Sequence, residues 1–264
     1  MQNRSVLIAV PINNEKLYCF RSFVAGLKKL IKSTVFDVTV AFAVNGADVG
    51  IIAAIKASGL KHWLLAAPRR RVSIPDSHVF ESGRDHITNM TNITLARNIL
   101  REAALIGGHD YLFFLDSDGC VEPETINKLA AYDLPVACCM HAQRLFGDST
   151  PLEPQSIVTC HPDNLYWDDV KNKPSPINYA GFSFGATLIE RTILERFPIT
   201  FATKGNNVEW SEDYTFYRQI QNAGYKFCCD QHIKTLHMLD PKRFPNGWTN
   251  DNRVMTYSAF ARGK

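Results

Sequence analysis

Apolar runs alternate with helix-like segments along the first half of the chain, and this alternation restricts the possible folds more than any other feature. The apolar runs, which are predicted strands, cover residues 5–12, 36–44, 62–67 and 110–115. The segments between them that have helical residue patterns cover residues 15–32, 50–59 and 91–105. Strands and helices in this order form β-α-β units, which build a mainly parallel sheet covered on both faces. The sequence therefore predicts an α/β protein.

The second half of the chain is less regular but continues the same pattern. Strand-like segments lie at residues 136–142, 226–230 and 235–239, and the segment 182–197 begins as a strand and turns helical. A further helix is predicted to open at Ser211 and stop at Gly224, and these last strands are predicted to finish the sheet. Residues 68–90 and 143–178 are predicted loops. Ligands of parallel sheets bind at the carboxyl ends of the strands, so polar residues that follow strands are the first site candidates.

Composition and charge exclude several classes of protein. Of 264 residues, 45% are hydrophobic and 21% charged, which is ordinary for a globular protein, and the net charge of +3 is too small to indicate nucleic-acid binding. No apolar run approaches the length of a membrane span, so no integral membrane association is expected. Seven cysteines, an odd number without a disulfide-like framework, favour a reduced, cytoplasmic compartment. The three arginines at 69–71 fit either a solvated loop or an anion site.

Two carboxylates follow the predicted strand at 110–115, in the sequence YLFFLDSDGCVEPE. In an extended segment residues two apart point the same way, so Asp116 and Asp118 can share a direction. Two hard oxygen donors that converge suit Mg²⁺ or Mn²⁺. The alternative is a polar turn in which an aspartate caps the helix opened by Glu122-Pro123-Glu124.

Three further elements each have a functional and a structural interpretation. In Trp210-Ser211-Glu212-Asp213, Asp213 is a candidate general base supported by Glu212, but serine is also a good N-cap and acidic residues suit a first helical turn. His237, within TLHML, is either an imidazole ligand that joins the aspartates and favours Mn²⁺ or a core histidine. Arg97, in Ala96-Arg97-Asn98, either reaches a phosphate or nucleobase or faces solvent.

The order of these elements along the chain is more specific than any one of them. A strand end precedes an A-R-N helix, F-L-D-x-D, G-F-S-F-G-A-T-L-I, E-D-Y-x-F, a glycine-ended helix and a late histidine. This order resembles the GT-A glycosyltransferases of the family-two type, which use nucleotide-diphosphate sugars, and the match covers roughly residues 5–238. The resemblance implies a single Rossmann-like domain. Its nucleotide-sugar-binding half would be 1–130, its acceptor-binding and catalytic half 131–240, and 241–264 a C-terminal tail.

The resemblance also implies roles for individual residues. The metal, Mn²⁺ or Mg²⁺, would be held by Asp118 and His237, with Asp116 near the metal or the donor ribose. Asp213 would be the catalytic base, supported by Glu212. The donor-binding residues would be Pro11, Asn13, Glu15, Asp48, Arg97, Asp116 and Gly185.

The chemistry implied by the resemblance is transfer of a sugar, of hexosyltransferase type. The donor would be a nucleotide-diphosphate sugar, by default a UDP-sugar, and the acceptor hydroxyl would belong to a glycan, a lipid, a protein or DNA. Attack opposite the leaving group would invert the anomeric configuration. Two other functions stay open: a sugar nucleotidyltransferase, which would usually need a glycine-rich phosphate loop, and a non-catalytic nucleotide- or sugar-binding protein, which would not need Asp213.

Overall fold

The structure is a computed structural model that describes residues 4–46, 48–70, 81–139, 174–176, 183–204, 207–233 and 235–238. Its helices are α1 (Phe20–Ser33), α2 (Val49–Ala57), α3 (Glu81–Ile106), α4 (Thr125–Ala130), α5 (Arg191–Arg196) and α6 (Glu212–Asn222), with a 3₁₀ turn at Asn14–Lys16. Its strands are β1 (Ser5–Ile12), β2 (Asp37–Asn45), β3 (His62–Ala67), β4 (Tyr111–Leu115), β5 (Gly119–Val121), β6 (Val136–Cys139), β7 (Ala186–Glu190), β8 (Ala202–Lys204), β9 (Asn207–Trp210), β10 (Phe227–Asp230) and β11 (Thr235–His237).

Seven of the strands form one mainly parallel sheet, in the order β10-β6-β7-β4-β1-β2-β3. The pairs β1–β2, β2–β3 and β6–β10 are parallel. The near-continuous apolar run of β1 is buried from Val6 to Ile12, as expected for a strand covered on both faces. The predicted α/β fold with a mainly parallel central sheet is therefore confirmed.

The chain divides into two compact units. The first comprises Met1–Asn14, Phe36–Phe113 and Ile189–Tyr225. Within it, α3 packs against β1, β2 and β9. The largest side chains that this unit buries fully are Leu7, Ile8, Phe42, Ile51, Ile55, Phe113 and Phe216.

The second unit comprises Glu15–Val35, Phe114–Leu188 and Lys226–Lys264. Here α1 packs against β5, and α4 packs against β6. The apolar stripe of α1 buries Phe23, Leu27 and Leu30, and the rings of Phe114 and Phe184 lie 4.9 Å apart. The division into ligand-binding halves at residues 130 and 240 stays a prediction.

Several predicted elements are confirmed almost to the residue. β1 and β3 have the predicted bounds, and the helix after Ser211 ends at Asn222, two residues before Gly224. Gly224 has a φ of +77°, and its N–H donates to the carbonyl of Gln221 at 3.0 Å. A glycine is favoured at this left-handed position because it has no Cβ to clash.

The helix before β4 is longer than predicted, and the prediction of a loop over 68–90 is wrong for residues 81–90. α3 begins at Glu81 rather than near residue 91; residues 71–80 lie outside the described part. The first turns carry no apolar stripe that a sequence pattern could detect. Farther along α3, the polar side chains of Thr91 and Asn98 donate to the backbone carbonyls of Ile87 (2.8 Å) and Thr94 (3.1 Å), four residues earlier.

The prediction that residues 235–239 finish the main sheet is also wrong. β11 pairs antiparallel with β5 in a separate two-stranded sheet. β5 has only three residues, GCV, and is too short for a period-two pattern to indicate a strand. The antiparallel pair β8–β9 was not predicted for the same reason.

The first helix also starts later than predicted. Residues 14–16 form the 3₁₀ turn, and α1 begins at Phe20 rather than near residue 15. Leu17, which the helical pattern placed on the apolar stripe, lies before α1 and is 44% exposed.

Buried His109 predicts a pH dependence of stability. Burial lowers its pKa, an effect that the carboxylates of Asp37 and Asp110 only partly offset. Neither ring nitrogen has a hydrogen-bond partner within the described residues. The unfolded chain, with an ordinary histidine pKa of about 6.5, therefore binds a proton before the folded chain does.

We expect the contribution of the neutral His109 imidazole to the free energy of unfolding to be fully present above about pH 6.5 and to be lost as the pH falls below that value. Its slope would be at most about 1.4 kcal/mol per pH unit. Urea unfolding between pH 8 and pH 5 should show the loss in the wild type, and His109→Phe should flatten it. An unchanged slope in the variant would show that His109 is not the responsible group.

Candidate functional site

The two aspartates of the D-S-D sequence lie in the turn that follows β4. The N–H of Asp116 donates to the carbonyl of Gly185 at 3.0 Å, and the N–H of Gly119 donates to the carbonyl of Asp116 at 2.8 Å. Asp116 is half-buried, whereas Asp118 is only 5% exposed. The structure thus brings Asp116 and Gly185, both predicted donor-binding residues, into direct contact.

Strand pairing places the late histidine beside this turn. In the β5–β11 pair the register partner of His237 is Gly119, the residue after Asp118. The N–H of Met238 donates to the carbonyl of Asp118 at 2.7 Å. The His237 side chain lies outside the described part, but its backbone position is adjacent to the aspartate with which it was predicted to share a metal. Gly119 and His237 are register partners because β11 pairs with β5 and not with a strand of the main sheet.

Asp118 forms an ion pair that the sequence did not indicate. Lys16, in the 3₁₀ turn after β1, places its Nζ 2.5 Å from Asp118 Oδ2. The contact joins residues 102 positions apart, so no local pattern could reveal it. The buried carboxylate is therefore already in contact with a positive charge.

A divalent cation fits the chemistry of these donors. Two carboxylates and one imidazole are ligands that suit Mn²⁺, and the Lys16 ammonium shows that Asp118 Oδ2 accepts a cation at short range. No group of three or more His, Cys, Asp or Glu side chains is arranged as a metal site within the described residues, which do not include the His237 side chain. The metal site therefore stays a prediction.

The first unit holds the candidate residues that follow β1 and β2. Asp48 Oδ2 accepts the N–H of Asn14 at 2.9 Å, and Asn14 Oδ1 accepts the N–H of Ile51 at 2.9 Å. These two bonds join the turn after β1 to the start of α2. Asp48 was predicted to lie near the base; in the structure one of its oxygens positions the Asn14 backbone.

The remaining predicted donor-binding residues near β1 are Pro11 and Asn13 in the first unit and Glu15 in the second. Pro11 lies within β1, in register with Ala43 of β2. Asn13 is half-buried, and Glu15, in the 3₁₀ turn, is exposed. Their donor-binding roles stay predictions.

Arg97 and Glu212 form a buried ion pair in the same unit. Arg97 on α3 is 5% exposed, Glu212 at the start of α6 is 4% exposed, and the guanidinium Nη1 contacts Glu212 Oε1. The two residues are 115 positions apart. From the sequence, Arg97 is predicted to contact the nucleotide and Glu212 to support Asp213, and both roles stay predictions. The structure shows that the two side chains bind each other and so join α3 to the first turn of α6.

Asp213 follows Glu212 and is half-buried. Its Oδ1 accepts hydrogen bonds from the hydroxyl of Ser211 and from the N–H of Tyr214, the latter at 2.8 Å. Within the described residues its second oxygen, Oδ2, accepts none. One oxygen is thus fixed by the helix start, and the role of Asp213 as general base stays a prediction.

Comparison with known proteins gives the fold its name. No protein-family model and no curated protein matches the sequence. Among solved structures, A197 from STIV matches with a TM-score of 0.50 and 15% identity over 89% of this chain and 86% of that one. TarS 1–349 from S. aureus, in complex with UDP, matches with a TM-score of 0.51 and 15% identity over 91% and 62%. The chain has the GT-A fold.

The mannosyltransferase PcManGT from Pyrobaculum calidifontis, in complex with GDP-Man and Mn²⁺, matches this chain with a TM-score of 0.50 and 13% identity. The match covers 87% of this chain and 57% of PcManGT. This chain thus matches less than two thirds of the length of TarS 1–349 and of PcManGT.

In the described part of the chain, every helix is too short or too polar to cross a lipid bilayer. The predicted GT-A fold is confirmed.

Proposed function

We propose that the protein is a metal-dependent glycosyltransferase that moves a sugar from a nucleotide-diphosphate sugar to an acceptor hydroxyl. The donor is a UDP-sugar, and the transfer is of hexosyltransferase type with inversion at the anomeric carbon. The acceptor is a hydroxyl of a glycan, a lipid, a protein or DNA.

The observation that most supports this proposal is the pairing of β5 with β11. It brings the backbone of His237 next to Asp118, at the end of a strand in a GT-A fold. A turn that only caps a helix would not require His237, 119 positions after Asp118 in the chain, to lie beside it. The complexes of TarS 1–349 with UDP and of PcManGT with GDP-Man and Mn²⁺ support the proposed classes of donor and metal.

Asp118 and His237 would hold the divalent ion, with Asp116 beside them. When bound, such an ion stabilises the negative charge that develops on a departing diphosphate. Asp116 is fixed on Gly185 by its backbone bond, and these two residues would contact the donor ribose and sugar. Pro11, Asn13, Glu15 and Asp48 would complete the nucleotide site.

Asp213 would act as the general base. An acceptor hydroxyl is a poor nucleophile, so its proton must leave as its oxygen attacks the anomeric carbon. Asp213 Oδ2 would accept that proton while the bond between the anomeric carbon and the diphosphate oxygen breaks. The Ser211 and Tyr214 bonds to Oδ1 keep the carboxylate in one orientation. The Arg97–Glu212 pair would hold the helix start that carries it.

A thermal-shift panel tests the donor class. A ligand at one hundred times its dissociation constant adds about 2.7 kcal/mol to the free energy of unfolding. For a chain of this size that is a rise in Tm of about 5–10 °C. We expect one nucleotide sugar among UDP- and GDP-sugars to produce this rise with Mn²⁺, and EDTA to remove it.

Two variants test whether the Mn²⁺-dependent rise in Tm depends on Asp118. Asp118→Asn should lose the Mn²⁺-dependent rise, whereas Asp37→Asn, which changes an exposed aspartate at the start of β2, should keep it. If no donor raises the Tm of the wild type with Mn²⁺ present, the D-S-D turn is a structural turn and the proposal fails.

A further inference from the structure

The ion pair between Lys16 and Asp118 has features of a replaceable contact. The Asp118 side chain is 6% exposed, whereas that of Lys16 is 23% exposed. A buried carboxylate needs a nearby positive charge, because an uncompensated charge in the interior is strongly destabilising. A lysine ammonium is a point charge on a flexible stem, so it can leave the carboxylate without a change in the backbone.

Other bonds hold the D-S-D turn independently of the Lys16 ammonium. Cys19 Sγ contacts the carbonyls of Lys16 and Ser117, at 3.3 and 3.5 Å. The hydroxyl of Tyr18 donates to the carbonyl of Met238 at 2.8 Å, and Met238 donates in turn to Asp118. The side chains of Tyr18 and Cys19 thus bind the segment 16–19 to the turn and to the residue after β11. The ammonium can move while these anchors stay in place.

Lys16 and a divalent ion would compete for the same carboxylate, that of Asp118. Asp118 Oδ2 is already 2.5 Å from an ammonium, and a second cation at ligand distance from that oxygen would be strongly repelled at such short range. Binding of the ion therefore requires the ammonium to move away. A nucleoside diphosphate, which carries concentrated negative charge, is the natural new partner for a lysine released beside the metal.

We propose that Lys16 is an internal counter-cation, which neutralises Asp118 before a divalent ion binds, is displaced by that ion, and then contacts the diphosphate of the donor. This inference rests on the proposed function and assigns Lys16 as a donor-binding residue within it. Metal and nucleoside diphosphate then bind cooperatively. The ion releases the lysine that the diphosphate needs, and the diphosphate in turn holds the lysine away from the ion.

The test is the affinity for Mn²⁺, measured by electron paramagnetic resonance on the full chain with and without UDP. Lys16→Met removes the competing ammonium, so we expect Mn²⁺ alone to bind this variant about tenfold more tightly than the wild type. UDP should raise the Mn²⁺ affinity of the wild type more than that of the variant. Lys128→Met is the matched control, because Lys128 pairs with Glu122 at 2.6 Å on the surface of the same unit.

Thermal unfolding supplies a second readout in case Lys16→Met is less stable than the wild type. Mn²⁺ should raise the Tm of Lys16→Met more than it raises the Tm of the wild type or of Lys128→Met. Equal or weaker Mn²⁺ binding by Lys16→Met, or no Mn²⁺ binding by any of the three proteins, would overturn the role of Lys16. If Lys16→Met binds Mn²⁺ no more tightly than the wild type but the wild type still binds both Mn²⁺ and UDP, the proposed function survives; no Mn²⁺ binding by any of the three proteins, or loss of all nucleotide binding, would refute the metal-dependent function itself.

Discussion

Replacement of Asp213 by Asn is expected to lower the turnover number by about 10²–10⁴-fold, the contribution of a positioned general base. The amide cannot take the proton of the acceptor hydroxyl, but it has nearly the same size. Its oxygen can keep the hydrogen bonds that Oδ1 receives from Ser211 and Tyr214. Donor affinity should therefore stay close to the wild-type value, and the loss should be in kcat. The measurement is release of nucleoside diphosphate from the donor, with binding of the donor followed separately.

Glu209→Gln is the matched control for this variant. Glu209 is an exposed carboxylate on β9, four residues before Asp213, and the substitution makes the same change from carboxylate to amide. It should leave both turnover and donor affinity unchanged. An Asp213→Asn variant as active as Glu209→Gln would show that Asp213 is only a helix-start residue.

Replacement of Arg97 by Met is expected to lower the free energy of unfolding by about 3–5 kcal/mol. The variant leaves the buried carboxylate of Glu212 without the guanidinium that contacts it. The double variant Arg97→Met/Glu212→Met should recover most of the loss, because a buried ion pair can be replaced by apolar side chains at little cost. Denaturant unfolding of the single and double variants measures both effects.

The Arg191–Glu195 pair is the control for this prediction. It lies on α5, in the same unit, with Nε 2.6 Å from the carboxylate, and both side chains are about a third exposed or more. Arg191→Met should cost only about 0.2–1 kcal/mol, as is usual for exposed pairs. If Arg97→Met is no more destabilising than Arg191→Met, the buried pair does not hold α3 and α6 together.

The strands and most of the helices could be predicted because their residue patterns are local. β1 and β3 are short apolar runs with turn residues on both sides, and the helix after Ser211 has a clear start and a glycine stop. The missed elements lack such patterns. The first ten residues of α3 are mostly polar, β5 has three residues, and β8 and β9 have three and four.

The candidate site was predictable only in its individual residues. The D-S-D turn and the helix start at Ser211 can be seen in short stretches of sequence. Which residues contact each other is decided by pairs more than one hundred positions apart, such as Lys16 with Asp118 and Arg97 with Glu212. A charged side chain has no periodicity that identifies its partner. The sequence therefore indicated Glu212 as a companion of Asp213, and the structure shows its contact with Arg97.

The most direct test of the account is release of nucleoside diphosphate from a panel of nucleotide sugars by the wild-type chain with Mn²⁺, with water or added glycans as acceptors. We expect release from one donor, its loss in EDTA, and its loss in Asp118→Asn. Binding of a donor without any release, with every acceptor, would contradict the account and indicate a non-catalytic sugar-nucleotide-binding protein. Release of pyrophosphate when the chain is given a nucleoside triphosphate and a sugar phosphate, and none of nucleoside diphosphate, would contradict it in favour of a nucleotidyltransferase.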